Sequence, residues 1–85
     1  MELEIIPLAL KKIVQRHIPV DWVEQTLNFP DQVVDGYEGR RVAQKVYNID
    51  NKRMLLRVVF ESTAIKKVVV TAYLTSQIER YRRKA

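Results

Sequence analysis

Four side chains that suit phosphate chemistry lie in the β-rich part of this 85-residue sequence. Arg57 interrupts an apolar run between leucine and valine residues, and Lys45 lies in an earlier β-rich segment. Thr71 and Tyr73 follow three consecutive valines. Guanidinium and ammonium groups bind phosphate oxygens and stabilise charge that develops on them, and a tyrosine ring can stack on a nucleobase. Together these residue types suit a surface that binds RNA and cleaves it.

The same residues also have a structural explanation. Arg57 and Lys45 would then pair with acidic residues on neighbouring strands, and Thr71 and Tyr73 would be ordinary strand residues. For Thr71 and Tyr73 taken alone, the structural explanation is favoured. For Arg57 both explanations remain open, because a charge inside an apolar strand needs a specific reason to be there.

The sequence that precedes these residues predicts one strand and a first helix. Residues 2–6 form a short β-like run that Pro7 closes. Residues 8–15 repeat apolar side chains at helical spacing, which predicts a helix whose buried stripe is Leu8, Leu10, Ile13 and Val14. Pro19 ends this helix.

A second helix is predicted from a capping pattern. Asp21 and Glu24 stand three residues apart, as in a capping box that opens a helix. The pair Phe29-Pro30 ends it, because the residue before a proline is disfavoured in the α region. The expected buried stripe of this helix is Trp22, Val23, Thr26 and Leu27.

From residue 32 onward the apolar period changes from 3.6 to 2, which predicts strands joined by turns. The predicted strands are residues 32–37, 41–48, 54–61 and 65–74. The last two are the most apolar and are expected in the middle of the sheet. Ser76 is the expected N-cap of a short basic helix over residues 77–84, in which Ile78 and Tyr81 dock on the sheet.

These elements predict an α+β fold in a single domain over residues 1–85. An N-terminal strand and two helices pack on a four-stranded antiparallel sheet, and the short basic helix follows at the C-terminus. One face of the sheet then lies under the helices, and the other face is open.

Side-chain alternation along the strands predicts which residues share a face. One set in the hairpin strand is Arg41, Ala43, Lys45 and Tyr47, and one set in the last strand is Lys67, Val69, Thr71 and Tyr73. If the registers align, the open face collects Lys45, Arg57, Thr71 and Tyr73. A slip of one residue would send any strand's set to the opposite face.

The charge of the chain is unevenly distributed along the sequence. Residues 1–38 contain three basic and seven acidic residues, a net charge of −4, whereas residues 39–85 contain twelve basic and three acidic residues, a net charge of +9. Together they give the overall charge of +5. A basic half of this kind favours binding to a polyanion such as RNA. The alternatives are a solvated surface and a basic half covered by an acidic protein partner.

The composition excludes several function classes. The chain has no cysteine, which removes thiol nucleophiles and thiolate metal sites. Its two glycines are too few for a phosphate-binding glycine-rich loop. One histidine and scattered carboxylates lack metal-ligand spacing, so no metal and no cofactor is expected. The apolar runs are shorter than the roughly 20 residues that cross a bilayer, so no membrane association and a cytoplasmic location are expected.

Two further features carry weaker functional interpretations. His17 could act as a general acid or base, but beside a proline-containing turn it is more typical of an exposed or helix-capping residue. The C-terminal arginines could make non-specific phosphate contacts or simply be solvated; they are Arg80, Arg82 and Arg83.

Several local strings resemble the domain-of-unknown-function family 4258, which is similar to the RelE/ParE-like toxin superfamily of toxin–antitoxin pairs. The strings are Arg16–Pro19, Trp22–Glu24, Asn28–Val34, Leu55–Val59 and Val69–Ser76. The strongest of them is the Val-Val-Thr-Ala-Tyr segment in the last strand. The resemblance covers almost the whole chain and implies a RelE-like fold.

The resemblance also implies functional positions and partners. RelE-like members of the superfamily are metal-free ribonucleases that often act on mRNA, others poison DNA gyrase, and an acidic antitoxin usually neutralises them. The family-pattern positions here are Arg16, Arg57, Thr71, Tyr73 and Ser76, with Lys45 as a further phosphate contact. Members commonly carry a histidine eight residues before the position of Arg16, where this chain has Leu8.

The leading hypothesis is a toxin-like endoribonuclease that acts on RNA, with or without the ribosome, and needs no cofactor. In this hypothesis Arg57 and Lys45 bind the scissile phosphate, Arg16 stabilises developing charge, and Tyr73 orients a base or the attacking 2′-hydroxyl. The further expected RNA contacts are Arg41, Ser76, Arg80, Arg82 and Arg83. The alternative is a non-catalytic module of RelE-like architecture that binds nucleic acid or protein. An acidic antitoxin is an expected partner of the toxin.

Overall fold

A computed structural model describes residues 2–82, which form five strands and three helices. The elements in chain order are β1 (Glu2–Ile5), α1 (Pro7–Gln15), α2 (Val20–Asn28), β2 (Gln32–Asp35), β3 (Arg41–Ile49), β4 (Lys52–Ser62), β5 (Lys66–Thr75) and α3 (Ile78–Tyr81). The α+β architecture predicted from the sequence is confirmed. The predicted last helix also included residues 83 and 84, which lie outside the described part of the chain.

The sheet has the strand order β1-β5-β4-β3-β2. Strands β2 to β5 form the predicted antiparallel meander. The N-terminal strand β1 adds to this meander by pairing parallel with β5, from Glu2 beside Lys66 to Ile5 beside Val69. The sheet is therefore mixed and five-stranded, and β1 covers only the first part of the outer edge of β5.

Helices α1 and α2 pack on one face of the sheet, called here the helix face. Helix α1 lies over β5, and α2 lies over β4 and β3. The buried stripe predicted for α2 is confirmed for Val23, Thr26 and Leu27, and Trp22 is partly buried. The main core contains eleven buried residues from α1, the α1–α2 connection, α2 and the strands: Ala9, Ile13, Ile18, Val23, Leu27, Ala43, Leu56, Val58, Phe60, Val69 and Ala72.

The stripe predicted for α1 is wrong in part. Ile13 is buried as expected, but its buried companion is Ala9, while Leu8 and Val14 are 59% and 61% exposed and Leu10 is also exposed. An apolar pattern gives leucine more weight than alanine, yet the small side chain of Ala9 suits the close packing of α1 on β5. The helix is therefore rotated relative to the sequence prediction.

Helix α1 ends in a Schellman motif at His17. The His17 N–H donates to Val14 O at 3.1 Å, and the Ile18 N–H donates to Ile13 O at 3.1 Å. His17 adopts a left-handed φ of 57°, and Ile18 and Ile13 are both buried, as this motif favours. The helix-ending interpretation of the single histidine thus has a specific geometric basis.

The helix starts differ from the predicted caps. Helix α2 begins at Val20 with Pro19 at its N-cap position and no side-chain cap, so Asp21 lies inside the first turn. An acidic side chain in the first turn interacts favourably with the helix dipole even where it does not cap the helix. Helix α3 has Gln77, not Ser76, at its N-cap position.

Two backbone features decide which side chains of the strands share a face. Asp50 and Asn51 both have positive φ values, of 50° and 65°, as a two-residue type I′ hairpin turn requires. This turn joins β3 to β4 and places Gln44 opposite Arg57. A bulge between β4 and β5 pairs Val59 with Thr71 but Phe60 with Val69, which leaves Val70 as the extra residue.

The bulge corrects the face predicted for the last strand. Val69 lies in the main core, and the Lys67 ammonium lies 5.4 Å from the Phe60 ring centroid on the helix face. Thr71 and Tyr73 lie on the opposite face, because one extra residue reverses the alternation. Strict alternation predicted that all four residues share one face. Instead Lys67 and Val69 lie on the helix face, and Thr71 and Tyr73 lie on the opposite face.

Candidate nucleic-acid interface

Three neighbouring strands place polar side chains in one row on the face opposite α1 and α2, called here the open face. Gln44 of β3 pairs with Arg57 of β4, and Arg57 pairs with Tyr73 of β5. Paired residues of adjacent strands point to the same side of a sheet. These three residues, called the central row, therefore lie side by side.

Hydrogen bonds hold the Arg57 guanidinium in the central row. Its Nε donates to Gln44 Oε1 at 2.7 Å, and its Nη1 donates to the Tyr73 hydroxyl. Gln44 is only 1% exposed, and its Nε2 donates to the Tyr81 carbonyl at 3.1 Å. Both ends of the Gln44 amide are thus engaged, and the position of the guanidinium is fixed by neutral partners.

Helix α3 packs on the open face beside the central row. The Arg57 guanidinium carbon lies 4.1 Å from the Tyr81 ring centroid and 5.6 Å from the Tyr73 ring centroid. Such cation–π contacts contribute about 0.5–2 kcal/mol, depending on how dry they are. Ile78 is buried, so the expected docking of Ile78 and Tyr81 on the sheet is confirmed.

A small apolar cluster surrounds the central row. Val42 lies two residues before Gln44 on β3, and Leu55 lies two residues before Arg57 on β4. Both therefore share the open face with the central row, and both are buried. Neither belongs to the main core under α1 and α2. The sheet is therefore packed on both faces, and Arg57 lies within the smaller of its two apolar clusters.

Arg16 reaches the rim of the open face from the end of α1. Its Nη1 donates to Ala72 O at 2.7 Å and to Thr71 Oγ1 at 3.4 Å. This contact is possible because β1 pairs with β5 only as far as Val69, which leaves the later residues of β5 at the sheet edge. Thr71 lies two residues before Tyr73 on the same face. The structure therefore brings together four of the candidate residues, namely Arg16, Arg57, Thr71 and Tyr73.

Lys45 does not join this group, and its predicted position on the open face is wrong. Lys45 pairs with Leu56 of the main core. Its Nζ donates to Phe29 O at 2.9 Å and lies 3.7 Å from Asp31 Oδ1. Tyr47, two residues on, stacks on Trp22 of α2 with ring centroids 4.3 Å apart. Lys45 therefore has a structural role, linking β3 to the end of α2.

Arg41 also lies away from the central row, because it is three residues before Gln44 on β3 and on the other face of the sheet. It pairs with the core residue Phe60 and so belongs to the helix-face set. Its Nε lies 3.7 Å from Asp35 Oδ1 in an exposed ion pair. The structure gives Arg41 a nearby carboxylate and does not bring it to the open face.

The residue that sequence reasoning missed is Gln44. It replaces Lys45 in the expected row, since even-numbered residues of β3 point to the open face. The available signal was weak: Gln44 is flanked at positions i−2 and i+2 by Val42 and Val46. An uncharged polar side chain in such a set is a candidate for a buried hydrogen-bonding role.

Ion pairing divides the described arginines into two groups. Arg40 and Arg41 pair with Glu61 and Asp35. Within residues 2–82, no carboxylate forms an ion pair with Arg57 or with four other arginines, namely Arg16, Arg53, Arg80 and Arg82. Arg53 lies four residues before Arg57 on β4 and therefore on the same open face, and Arg80 lies on α3. Arg16, Arg53, Arg57 and Arg80, four of the five described arginines without an ion pair, thus lie on the open face or at its rim.

The remaining candidate residues lie at the end of β5 and beyond. Ser76 and Arg80 line a cavity beside α3. Arg82 is exposed directly after α3, and Arg83 lies outside the described residues. In the part of the chain that the structure describes, no cluster of acidic, histidine or cysteine side chains could hold a metal ion, and no helix is long and apolar enough to cross a membrane.

Comparison of the chain with family models, with curated proteins and with solved structures finds no match. The chemistry of the open face is therefore the basis for a functional interpretation. It offers a fixed guanidinium with neutral partners, a phenol hydroxyl bound to it, and a second guanidinium beside a threonine hydroxyl. This combination suits a ribose–phosphate backbone. Its phosphate oxygens can accept hydrogen bonds from arginines, and its sugar hydroxyls can bond to the phenol and threonine hydroxyls.

Proposed function

We propose that this chain is a toxin-like endoribonuclease whose RNA strand crosses the open face at Arg57. The observation that carries the proposal is the Arg57 guanidinium, held by Gln44 and Tyr73 with no carboxylate partner among residues 2–82. A partly buried cation without a counter-ion attracts an anion more strongly than a paired surface cation.

Arg57 has donors left for a phosphate. A guanidinium has five N–H groups, and two of them donate to Gln44 and Tyr73, so three N–H groups remain. Arginine N–H groups form a fork that can contact two phosphate oxygens at once. Arg57 would therefore bind the scissile phosphate without losing the contacts that fix its position.

The proposed cleavage is an internal transfer at phosphorus. The 2′-oxygen attacks the adjacent phosphorus, the new O2′–P bond forms, and the bond from phosphorus to the 5′-oxygen breaks. Water accepts the proton of the 2′-hydroxyl and supplies the proton that the leaving 5′-oxygen receives, so a 2′,3′-cyclic phosphate and a 5′-hydroxyl result. Arg57 and Arg16 stabilise the negative charge that develops on the phosphate oxygens, and Tyr73 orients the attacking hydroxyl or stacks on a base.

The resemblance to RelE-like toxins supports the physiological part of the proposal. It points to an RNA substrate, with or without the ribosome, to a cytoplasmic site of action, and to an acidic antitoxin as partner. The unpaired arginines of the open face are a surface that an acidic antitoxin would complement. Binding there would cover Arg57 and thereby block RNA.

Cleavage of RNA by the purified protein tests this proposal. The parent, Arg57→Ala and the control Arg40→Ala are incubated with RNA, with and without ribosomes, in the presence of a chelator. Arg40 is an exposed arginine paired with Glu61, so its removal matches the charge change and leaves the central row intact. We expect cleavage by the parent and the control and at least a hundredfold slower cleavage by Arg57→Ala, the size of a lost transition-state donor. No cleavage by the parent under either condition would refute the nuclease.

The second candidate function is non-catalytic binding of RNA or protein. Two features favour it: the Tyr81 ring already covers one side of the Arg57 guanidinium, and Leu8 occupies the position where members of the family that the sequence resembles commonly carry a histidine. Salt-sensitive binding of RNA without cleavage would support this function, because phosphate contacts release counterions.

A further inference from the structure

A shallow cavity, largely open to solvent, lies next to the open face where β5 ends and α3 begins. Its volume is about 650 Å³, and its lining consists of Arg53, Ser76, Gln77, Ile78, Glu79 and Arg80. Small-ligand sites typically measure about 300–1,000 Å³. The cavity is therefore large enough for a phosphate together with its sugar.

The lining combines two guanidinium groups with a hydroxyl and an apolar residue. Arg80 Nη1 donates to Gln77 Oε1 at 3.1 Å, and its guanidinium carbon lies 5.4 Å from the Tyr81 ring centroid, so the side chain is oriented. Arg53 is exposed and forms no ion pair within the described residues. Among the described residues Glu79 is the single acid of the lining, which leaves these residues a net charge of +1.

We propose that this cavity is a second phosphate subsite for the RNA strand that Arg57 holds. This inference rests on the proposed function and extends it from one phosphate to a length of strand. Arg53 and Arg57 are four residues apart on one face of β4, which corresponds to about 13 Å at about 3.3 Å per residue. The RNA would run along β4. One phosphate would lie at Arg57, and another phosphate of the same RNA, on either its 5′ or its 3′ side, would lie at Arg53 and Arg80.

The proposal predicts that affinity depends on RNA length. A dinucleotide has one bridging phosphate and reaches only Arg57, whereas a hexanucleotide also reaches the cavity. Arg53→Gln should therefore weaken hexanucleotide binding far more than dinucleotide binding. Glu79→Gln should strengthen hexanucleotide binding two- to threefold, because it removes a negative charge from the lining.

Fluorescence anisotropy with labelled single-stranded RNA of two and six nucleotides, measured at several salt concentrations, tests this. We expect Arg53→Gln to weaken hexanucleotide binding about tenfold, as for one charge-assisted hydrogen bond. We expect the slope of log affinity against log salt to become shallower by about 0.7, the value for one phosphate of a single strand. The matched control is Lys52→Gln, which removes the same charge from the neighbouring exposed residue on the opposite side of β4 and should change affinity less than twofold.

A measurement without mutation supports the same point. Addition of the hexanucleotide should shift the amide resonances of Ser76 and Gln77, and addition of the dinucleotide should not. Equal effects of Arg53→Gln and Lys52→Gln, with unshifted cavity amides, would overturn the subsite.

The outcomes separate this proposal from the proposed function. Cleavage by the parent together with unchanged hexanucleotide binding by Arg53→Gln would overturn the subsite and leave the nuclease standing. Length-dependent binding lost in Arg53→Gln, without cleavage, would support the subsite and overturn the nuclease. Failure of the parent to bind either RNA would overturn the subsite, and the nuclease would be overturned with it only if the parent also cleaved no RNA in the presence of ribosomes.

Discussion

The two faces of the sheet use similar residues in different ways. On the helix face Lys45 binds the Phe29 carbonyl and the Asp31 carboxylate. On the open face Arg57 binds an amide and a phenol, with no carboxylate paired to it in the described part of the chain. The two cations therefore differ in their partners, a carbonyl and a carboxylate for Lys45 and two neutral groups for Arg57, and this difference is the basis for proposing Arg57 as the anion-binding residue.

The two faces also differ in how completely they are covered, and the open face is the less covered one. The helix face is covered by two nine-residue helices, whereas the open face is covered by the four-residue α3 beside a small apolar cluster. The larger core stabilises the fold, since each fully buried aliphatic side chain contributes about 1.5–3 kcal/mol. The smaller cluster leaves Arg57 and Tyr73 partly exposed, as the proposed binding of RNA requires.

The largest expected effect is a contrast between Arg57→Ala and Lys45→Ala. Arg57→Ala should lower the rate of RNA cleavage at least a hundredfold. Lys45→Ala should leave cleavage within about threefold and lower the free energy of unfolding by about 0.5–1.5 kcal/mol, because it removes a hydrogen bond and an exposed ion pair. Cleavage rates and urea unfolding of both variants measure these effects. A similar loss of cleavage in both variants would break the contrast between the faces.

The next effect comes from giving Arg57 a carboxylate partner in the central row. Gln44→Glu should weaken RNA binding about tenfold, because the new charge neutralises the guanidinium. The free energy of unfolding should change by no more than about 2 kcal/mol, since the stronger bond to Arg57 offsets the lost bond to the Tyr81 carbonyl. RNA titration and urea unfolding measure both quantities.

Gln44→Met serves as the control for this change. It removes the hydrogen bonds without adding charge, and should weaken RNA binding less than Gln44→Glu does. If the two variants bind RNA equally weakly, Gln44 acts only through packing and the charge argument is wrong.

A smaller effect, that of His17→Gly on stability and on cleavage, tests whether the single histidine has a structural or a catalytic role. His17→Gly should raise the free energy of unfolding by about 0.5–1 kcal/mol, because glycine adopts the left-handed conformation of residue 17 without steric cost. The rate of RNA cleavage should not change. Thermal unfolding and the cleavage assay check this, and a large loss of cleavage in His17→Gly would show that the imidazole takes part in the reaction.

The smallest effect concerns the ion pair that joins β1 to β5. Lys66 Nζ lies 2.6 Å from Glu4 Oε1, and the hydrogen bond and charge of Glu4 raise the pKa of Lys66 above its usual value of 10.5. Because the folded-state pKa is the higher one, the resulting stabilisation is fully present below pH 10.5 and is lost as the pH rises through the folded-state pKa.

Urea midpoints of the parent and Glu4→Gln across pH 8 to 12 measure this loss. The difference between the two proteins should stay constant up to about pH 10 and shrink above it. A difference that does not depend on pH would show that Glu4 acts through something other than the charge of Lys66.

Sequence periodicity was sufficient for the elements but not for the faces. In β3, the two alternating sets are Val42, Gln44 and Val46 against Ala43, Lys45 and Tyr47. Both sets mix apolar and polar residues, so hydrophobic contrast could not tell which set faces the helices. In β5 the bulge falls within Val68, Val69 and Val70, where three identical residues conceal any change of alternation.

The candidate site was therefore predictable in part. Arg57, Thr71 and Tyr73 were placed together because their strands are adjacent and central, and Arg16 was added by the family resemblance. Gln44 and the contact of Tyr81 with Arg57 depend on the register set by the Asp50-Asn51 turn and on the docking of α3. Contacts of that kind arise from tertiary packing, which local patterns do not encode.

The most direct test of the central claim is inducible expression of the parent, Arg57→Ala and Lys45→Ala in a bacterial host, with growth and transcript integrity followed together. We predict growth arrest and RNA fragmentation for the parent and for Lys45→Ala, and normal growth with intact RNA for Arg57→Ala. Equal fragmentation with Arg57→Ala, at equal protein levels, would contradict the assignment of the open face as the site of RNA cleavage.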